Sequence, residues 1–331
     1  GKTTMTELAF SGLGINPIFG TPANPHDPDI ARAPGGSSSG AGVSVARGLA
    51  AAAMGTDTGG SVRIPAAWNG LVGLKTSWGR VPLDGTVPLS PSLDTIGPLT
   101  HTVADAATLF SLSSGTTADI HNVSLKDHAV LVPDNLAFDG LDAGIAKAVE
   151  QAIHTLGAKG LRIVHKPLLT LDEIQTLAWE GASILIAEAY GLWGADVERR
   201  QNDMFASVAS RFMMGKRGSA PDIAAGLLLR DAIQERYAKE TQGYDAVLMP
   251  TVAISPPEIE PLLTDDAAYG QANSMALRNT TLGNQLGLCG LTLPVGSDAL
   301  GLPVGLMMQA APGKDELLLR LGRAIEMALA N

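Results

Sequence analysis

Ser37 and Ser61 lie 24 residues apart, each inside a glycine-rich run: Gly35-Gly36-Ser37-Ser38-Ser39-Gly40 and Asp57-Thr58-Gly59-Gly60-Ser61-Val62-Arg63. A serine hydroxyl is a weak nucleophile until a neighbouring group takes its proton, and the oxyanion that its attack creates needs fixed hydrogen-bond donors. A glycine-rich loop running into a helix N-terminus supplies such donors. The amides of Thr58, Gly59, Gly60 and Ser61 are placed to converge on one point, helped by the positive end of the helix dipole. Each oxyanion donor is typically worth about 3 to 4 kcal/mol in the transition state, a reason for side chains to be nearly absent there. The chemistry indicated is acyl transfer through Ser61.

Blander readings of the same residues compete with this one. Ser37-Ser38-Ser39 alone would be a flexible turn, and only its pairing with Ser61 argues otherwise. Gly36-Ser37-Ser38-Ser39-Gly40 also fits the G-x-S-x-G nucleophile elbow, which would nominate Ser38; that motif needs a strand directly before it, and residues 27–34 are polar and proline-bearing. His26, His101, His121, His128, His154 and His165 sit in no recognisable Ser-His-Asp context and read as surface or structural residues. Cys289, flanked by apolar neighbours, reads as a buried inert thiol. Arg211, Lys216 and Arg217 fit contact with an acidic substrate and fit a solvated loop equally well.

The elements that must hold these serines are legible from periodicity and punctuation. Alanine-rich residues 43–54 read as a tightly packed helix, residues 55–60 as a tight loop, and the segment from Ser61 as a helix with Pro65 in its first turns. A further helix runs from Thr102, with Asp105 completing a capping box. Strands are expected at 129–133, 161–164, 246–249, 291–295 and 304–308, and a helix over 145–156. Residues 171–242 are helical in pattern with a break at 215–218, and the last helix spans 315–330. Helices alternating with strands imply a largely parallel or mixed sheet.

Composition bounds the rest. With 45% apolar and 17% charged residues, the 331-residue chain has ample material for one large core and no signature of disorder. A net charge of -10 without a basic cluster excludes a nucleic-acid partner, while a small neutral or cationic substrate is easier to accommodate. The single cysteine excludes an internal disulfide framework and a Cys-based zinc site, and suits a reducing, cytoplasmic setting. The most apolar window, 41–54, is broken by Arg47 and glycines, so no membrane span and no secretory signal are expected. Gly1 is not an initiator methionine, and residues 1–5 read as the middle of an element, so residues are expected to precede it.

Residues 35–40, residues 55–65 and Gly70-Leu71-Val72-Gly73-Leu74-Lys75 together resemble the amidase signature family. The resemblance extends to Ser11-Gly12-Leu13-Gly14-Ile15-Asn16-Pro17, Ser92-Leu93-Asp94-Thr95-Ile96-Gly97-Pro98 and Gly301-Leu302-Pro303-Val304-Gly305-Leu306; it is strong over 1–105 and patchy beyond. It implies an α/β amidase-signature fold: a large twisted mixed β-sheet covered by helices on both faces. The domain would be single over 1–331 and lack an N-terminal segment, with 1–105 as signature core and 169–242 as a variable helical region.

The same resemblance implies a Ser–cisSer–Lys triad with Ser61 as nucleophile and Ser37 as the bridging serine, preceded by a cis peptide bond and relaying a proton between Ser61 and a lysine. Asp57 and Arg63 match positions that brace the oxyanion loop, and Ser38 is expected to hydrogen-bond in the same network. The lysine lies well upstream of the bridging serine in the family, so its counterpart is expected before Gly1; Lys2 and Lys75 do not match it. The implied reaction is hydrolysis of a small-molecule carboxamide to carboxylate and ammonia or amine through a Ser61 acyl-enzyme, with no metal or cofactor. Rival readings are the glutamine-hydrolysing subunit of a tRNA-dependent amidotransferase and, should the lysine be absent, a pseudo-enzyme that binds amides without turnover. Assembly as a homodimer is left open.

Overall fold

The computed structural model describes residues 1–180 and 183–330. In chain order its main elements are α1 (Ser39–Ala46), β1 (Ala52–Thr56), α2 (Arg63–Trp68), β2 (Val72–Lys75), β3 (Ile96–Thr100), α3 (Val103–Ser114), β4 (Ala129–Val132), α4 (Ala143–Ala158) and β5 (Arg162–His165). Then come α5 (Leu169–Glu180), α6 (Ile184–Arg200), α7 (Ala206–Met214), α8 (Ala220–Glu240), β6 (Ala246–Pro250), α9 (Ile259–Thr264), α10 (Asp266–Gln285), β7 (Cys289–Ser297), β8 (Pro303–Ala310) and α11 (Asp315–Leu329).

The strands form one eight-stranded sheet in the order β1-β3-β2-β7-β8-β6-β4-β5. It is mixed: β4 runs parallel to β5 and β6, and the other pairs are antiparallel. Successive side chains of a strand point to opposite faces, and here both faces are covered. Val130, Val132, Leu248, Leu291 and Met308 pack with α3, α4 and α11, whereas Leu131, Val247, Met249 and Met307 join residues of α5, α8 and α10. Two covered faces explain why β4 and β6 are apolar throughout rather than alternating. Each such side chain contributes about 1.5 to 3 kcal/mol on full burial. The expectation of a mixed sheet with helices on both faces is met.

Two local readings change. The helix expected over 43–54 stops at Ala46, and residues 52–56 form β1, paired antiparallel with β3 from Ala52↔Thr100 to Thr56↔Ile96. Gly48, at φ 68, turns the chain between them. Alanine's helix preference is worth a few tenths of a kcal/mol per residue, and five paired strand residues outweigh it. The tight loop therefore begins at Asp57, not Gly55. The helix after Ser61 starts at Arg63, with Pro65 in its first turn, where a missing N–H costs no helix bond. Thr102 caps α3 by accepting from the Asp105 amide, as expected. The strands β2 and β3 and the helices α9 and α10 have no counterpart in the sequence reading. Residues 181 and 182, within the stretch read as helical, lie outside the described residues.

Candidate active site

Asp57 organises the loop between β1 and α2. Its Oδ1 accepts from the Gly60 amide at 2.9 Å, and its Oδ2 from the Val62 and Arg63 amides at 3.2 and 3.4 Å. Arg63 grips the same carboxylate with Nε at 3.0 Å and Nη2 at 2.9 Å, and neither side chain is exposed. Burial alone would raise the Asp57 carboxyl, but the charge and hydrogen bonds of Arg63, with Lys75 farther off, prevail and hold it down to about 2.

This geometry divides the four amides expected to cradle an oxyanion. Gly60 is committed to Asp57, so its amide is not available, contrary to the sequence reading. Its φ of 134 and the packing of Thr280 Oγ1 against it turn the peptide inward. The amides of Thr58, Gly59 and Ser61 make no hydrogen bond within the described residues. Unpaired amides beside a cleft are a ready receptor for developing negative charge.

A polar face of α10, which sequence reasoning missed, holds this loop from 220 residues away. Thr280 and Thr281 both donate to the Gly59 carbonyl, at 2.7 and 3.1 Å, and Asn284 donates to Asp57 Oδ1 at 2.9 Å while accepting from Arg63 Nη2 at 2.6 Å. Nearer the start of the same helix, Asn273 accepts from the Ser11 hydroxyl and the Gly12 amide. The signal was present: Asn273, Thr280 and Asn284 recur at helical spacing on one buried face. From the other side Asp94 accepts from the Thr58 hydroxyl and from the Leu89 and Ser90 amides. Burial raises the Asp94 carboxyl despite those donors.

Ser37 and Ser61 come from adjoining segments, joined by the Ser38 amide donating to the Ser61 carbonyl at 3.2 Å. The Gly36–Ser37 peptide is cis. Ser37 is fully buried, yet its hydroxyl has no partner among the described residues; the buried Thr6 hydroxyl, on a residue whose amide donates to the Ser37 carbonyl, is likewise unpaired. Ser38 differs from expectation. Its hydroxyl packs against Gly55, facing a groove with Met5 and Met54, and makes no hydrogen bond to Asp57 or Arg63.

Ser61, Thr58 and Gly59 line a cleft of about 530 Å³, counting the space open to solvent, whose other walls come from residues 9–11, α5, α6, α7 and α10. None of the six histidines reaches it. Lys75 does not either: its Nζ is buried and donates to the carbonyls of Thr76 and Leu288 at 3.0 and 2.7 Å. Burial, then the nearby Arg63 charge, lowers this amine to about 8. Cys289 is a buried thiol that burial pushes up to about 12, consistent with an inert role. No helix among the described residues is long and apolar enough to cross a membrane.

Comparison with known proteins gives this geometry a context. The family model described as Amidase matches residues 1–319. The chain is 41% identical to a 2-amino-5-chloromuconic acid deaminase of Comamonas testosteroni over 342 residues, covering 100% of this chain and 72% of that one. It is 32% identical to an indoleacetamide hydrolase of Agrobacterium vitis, covering 98% of this chain and 73% of that one. A crystal structure of an amidase superposes with a TM-score of 0.87 at 30% identity, over 98% of this chain and 73% of the other.

Proposed function

The chain belongs to the amidase family and hydrolyses amide C–N bonds, and from that premise we propose that Ser61 carries the reaction. Ser61 Oγ attacks the carboxamide carbon. The carbonyl oxygen, now negative, is received by the amides of Thr58, Gly59 and Ser61. The proton released from Ser61 passes to Ser37, whose hydroxyl is buried and unpartnered, and from there to a basic amine. Collapse of the tetrahedral intermediate breaks the C–N bond; the nitrogen leaves as ammonia or amine, taking a proton as it goes. Water then attacks the acyl-Ser61 ester and releases the carboxylate.

The family pattern provides the amine as a neutral lysine, which needs a buried position to lose its charge near neutral pH. The paired absence of partners at Ser37 and Thr6 supports a docking place for such a group beside the serine relay. Asp57 and Arg63 act on the reaction by fixing the loop and touch no reacting atom. We read 1–331 as one amidase domain, with 1–105 carrying the signature core and 169–242 the variable wall of the cleft. A reducing cytoplasm is the setting that the single cysteine favours.

The observation that carries this reading is the set of three unpaired amides in a loop whose other donors are all committed, beside a serine that opens on the cleft. A fluorophosphonate reagent tests it. Modification of Ser61, with ammonia release from amides lost in Ser61→Ala, is the expected result; modification confined to Ser38 would transfer the nucleophile to the elbow reading.

A further inference from the structure

Arg211 is the one charged side chain among the described residues that line the Ser61 cleft. It projects from α7, and its guanidinium is fixed in two ways: Nε donates to the Phe10 carbonyl at 3.0 Å, and Cζ lies 4.7 Å from the centroid of the Phe10 ring. Phe10 is itself held edge-on by Phe212, with ring centroids 4.6 Å apart. Neither terminal nitrogen of Arg211 has an acceptor among the described residues, and no carboxylate there pairs with it.

Four other arginines that are at least partly buried are provided for. Arg32 pairs with Asp27, Arg63 with Asp57 and Arg80 with Glu316, while Arg278 donates to the carbonyls of Ala137 and Asp139. A guanidinium stays charged in proteins, and one half-withdrawn from water at a cleft wall with no counter-ion is a ready partner for an anion. Burial lowers the Arg211 pKa, and the neighbouring Tyr269 hydroxyl, itself bonded to Ser11, offers no negative charge in exchange. A planar fork with both terminal nitrogens free matches a carboxylate in two parallel hydrogen bonds. Apolar side chains, including Leu89, Trp179, Ile186 and Leu277, share the cleft lining with this fork and Ser61.

We propose that Arg211 reads a carboxylate carried by the amide substrate, so that this site acts on amides bearing a second, anionic terminus across a short apolar or unsaturated chain. The inference rests on the Ser61 reading of the cleft and adds the class of substrate. Arg211 binds and orients; the bond that breaks is still the amide C–N bond at Ser61.

The test compares acids with neutral isosteres: fumaramate with crotonamide, glutaramate with pentanamide, and N-acetylglycine with N-ethylacetamide for a carboxylate on the amine side. Wild type is expected to prefer the acid in at least one pair, by kcat/KM, on the order of 100-fold, the usual size for a desolvated charge pair. Arg211→Gln is expected to erase that preference mainly through KM, and Arg211→Lys to keep part of it, since a lysine retains the charge without the fork. Calorimetric titration of Ser61→Ala with fumaramate and crotonamide reads binding without turnover, and should favour the acid by a similar factor. Equal affinity and equal kcat/KM across every pair would overturn the proposal. Turnover of neutral amides with Ser61 labelled but no preference for acids sinks the Arg211 assignment alone, whereas failure of Ser61 to label sinks the catalytic reading beneath it.

Discussion

Asp57 and Arg63 form a two-pronged ion pair at 2.9 and 3.0 Å, neither side chain reaching solvent, and that pair sets the shape of the loop carrying Ser61. Five hydrogen bonds to one carboxylate come from the loop and α2 alone. Without it, three backbone amides and a buried guanidinium would lose their acceptor together.

Asp57→Asn is expected to destabilise the fold by about 3 to 5 kcal/mol at neutral pH, because it leaves Arg63 buried and unpaired. The pH dependence follows from the sign of the shift. Native Asp57 sits at about 2 against an ordinary 3.8, so the unfolded chain binds more protons between those values. The stabilisation is complete above about pH 4 and is lost as pH falls through 2, amounting to about 2 kcal/mol. Urea titrations from pH 5 to pH 2 should show the gap between wild type and Asp57→Asn narrowing; a constant gap would exclude the coupling.

Lys75 makes the opposite kind of prediction. Its native value of about 8 lies below the ordinary 10.5, so the unfolded chain again binds more protons, now between pH 8 and 10.5. Stability conferred at this site therefore rises with pH through that window, by about 3 kcal/mol in total. Lys75→Met removes the titration. Its stability should fall relative to wild type between pH 8 and pH 10, whatever the difference at pH 7, and parallel denaturation profiles would contradict the assignment.

The two loop glycines should respond differently to alanine. At Gly60 a Cβ would meet Thr280 Oγ1 at 2.2 Å on a backbone with φ 134, whereas at Gly59 the nearest atom is 3.5 Å away. Gly60→Ala is expected to lower kcat at least 100-fold and to reduce thermal stability, since the loop must move and the Thr280 clamp with it. Gly59→Ala should fold with near-native stability. Equal melting temperatures for both variants would show that the loop is not held as described.

The candidate site was legible in the sequence where it is local. Ser37, Ser61 and their glycines announce themselves within two short runs because backbone approach and loop shape are decided by neighbours in the chain. The mixed sheet was legible too, since β4 and β6 are apolar throughout. What escaped was decided at long range. Nothing near Gly59 tells that its carbonyl is clamped by Thr280 and Thr281, and that clamp and the Asp57 carboxylate turn the Gly60 amide away from the cleft. Residues 52–54 read as helix because alanine favours one; the β3 partner that makes them a strand lies some forty residues on. Arg211 was undecidable between solvated and substrate-facing until the Phe10 carbonyl and ring were seen to hold it at the cleft wall.

Peptide mapping of the enzyme quenched in acid during turnover tests the central claim most directly. Trypsin cuts after Arg32, Arg47 and Arg63, which separates residues 33–47, with Ser37 and Ser38, from residues 48–63, with Ser61. The account predicts that the 48–63 peptide gains the mass of the substrate's acyl group, at Ser61. An acyl group found on 33–47 instead would contradict it.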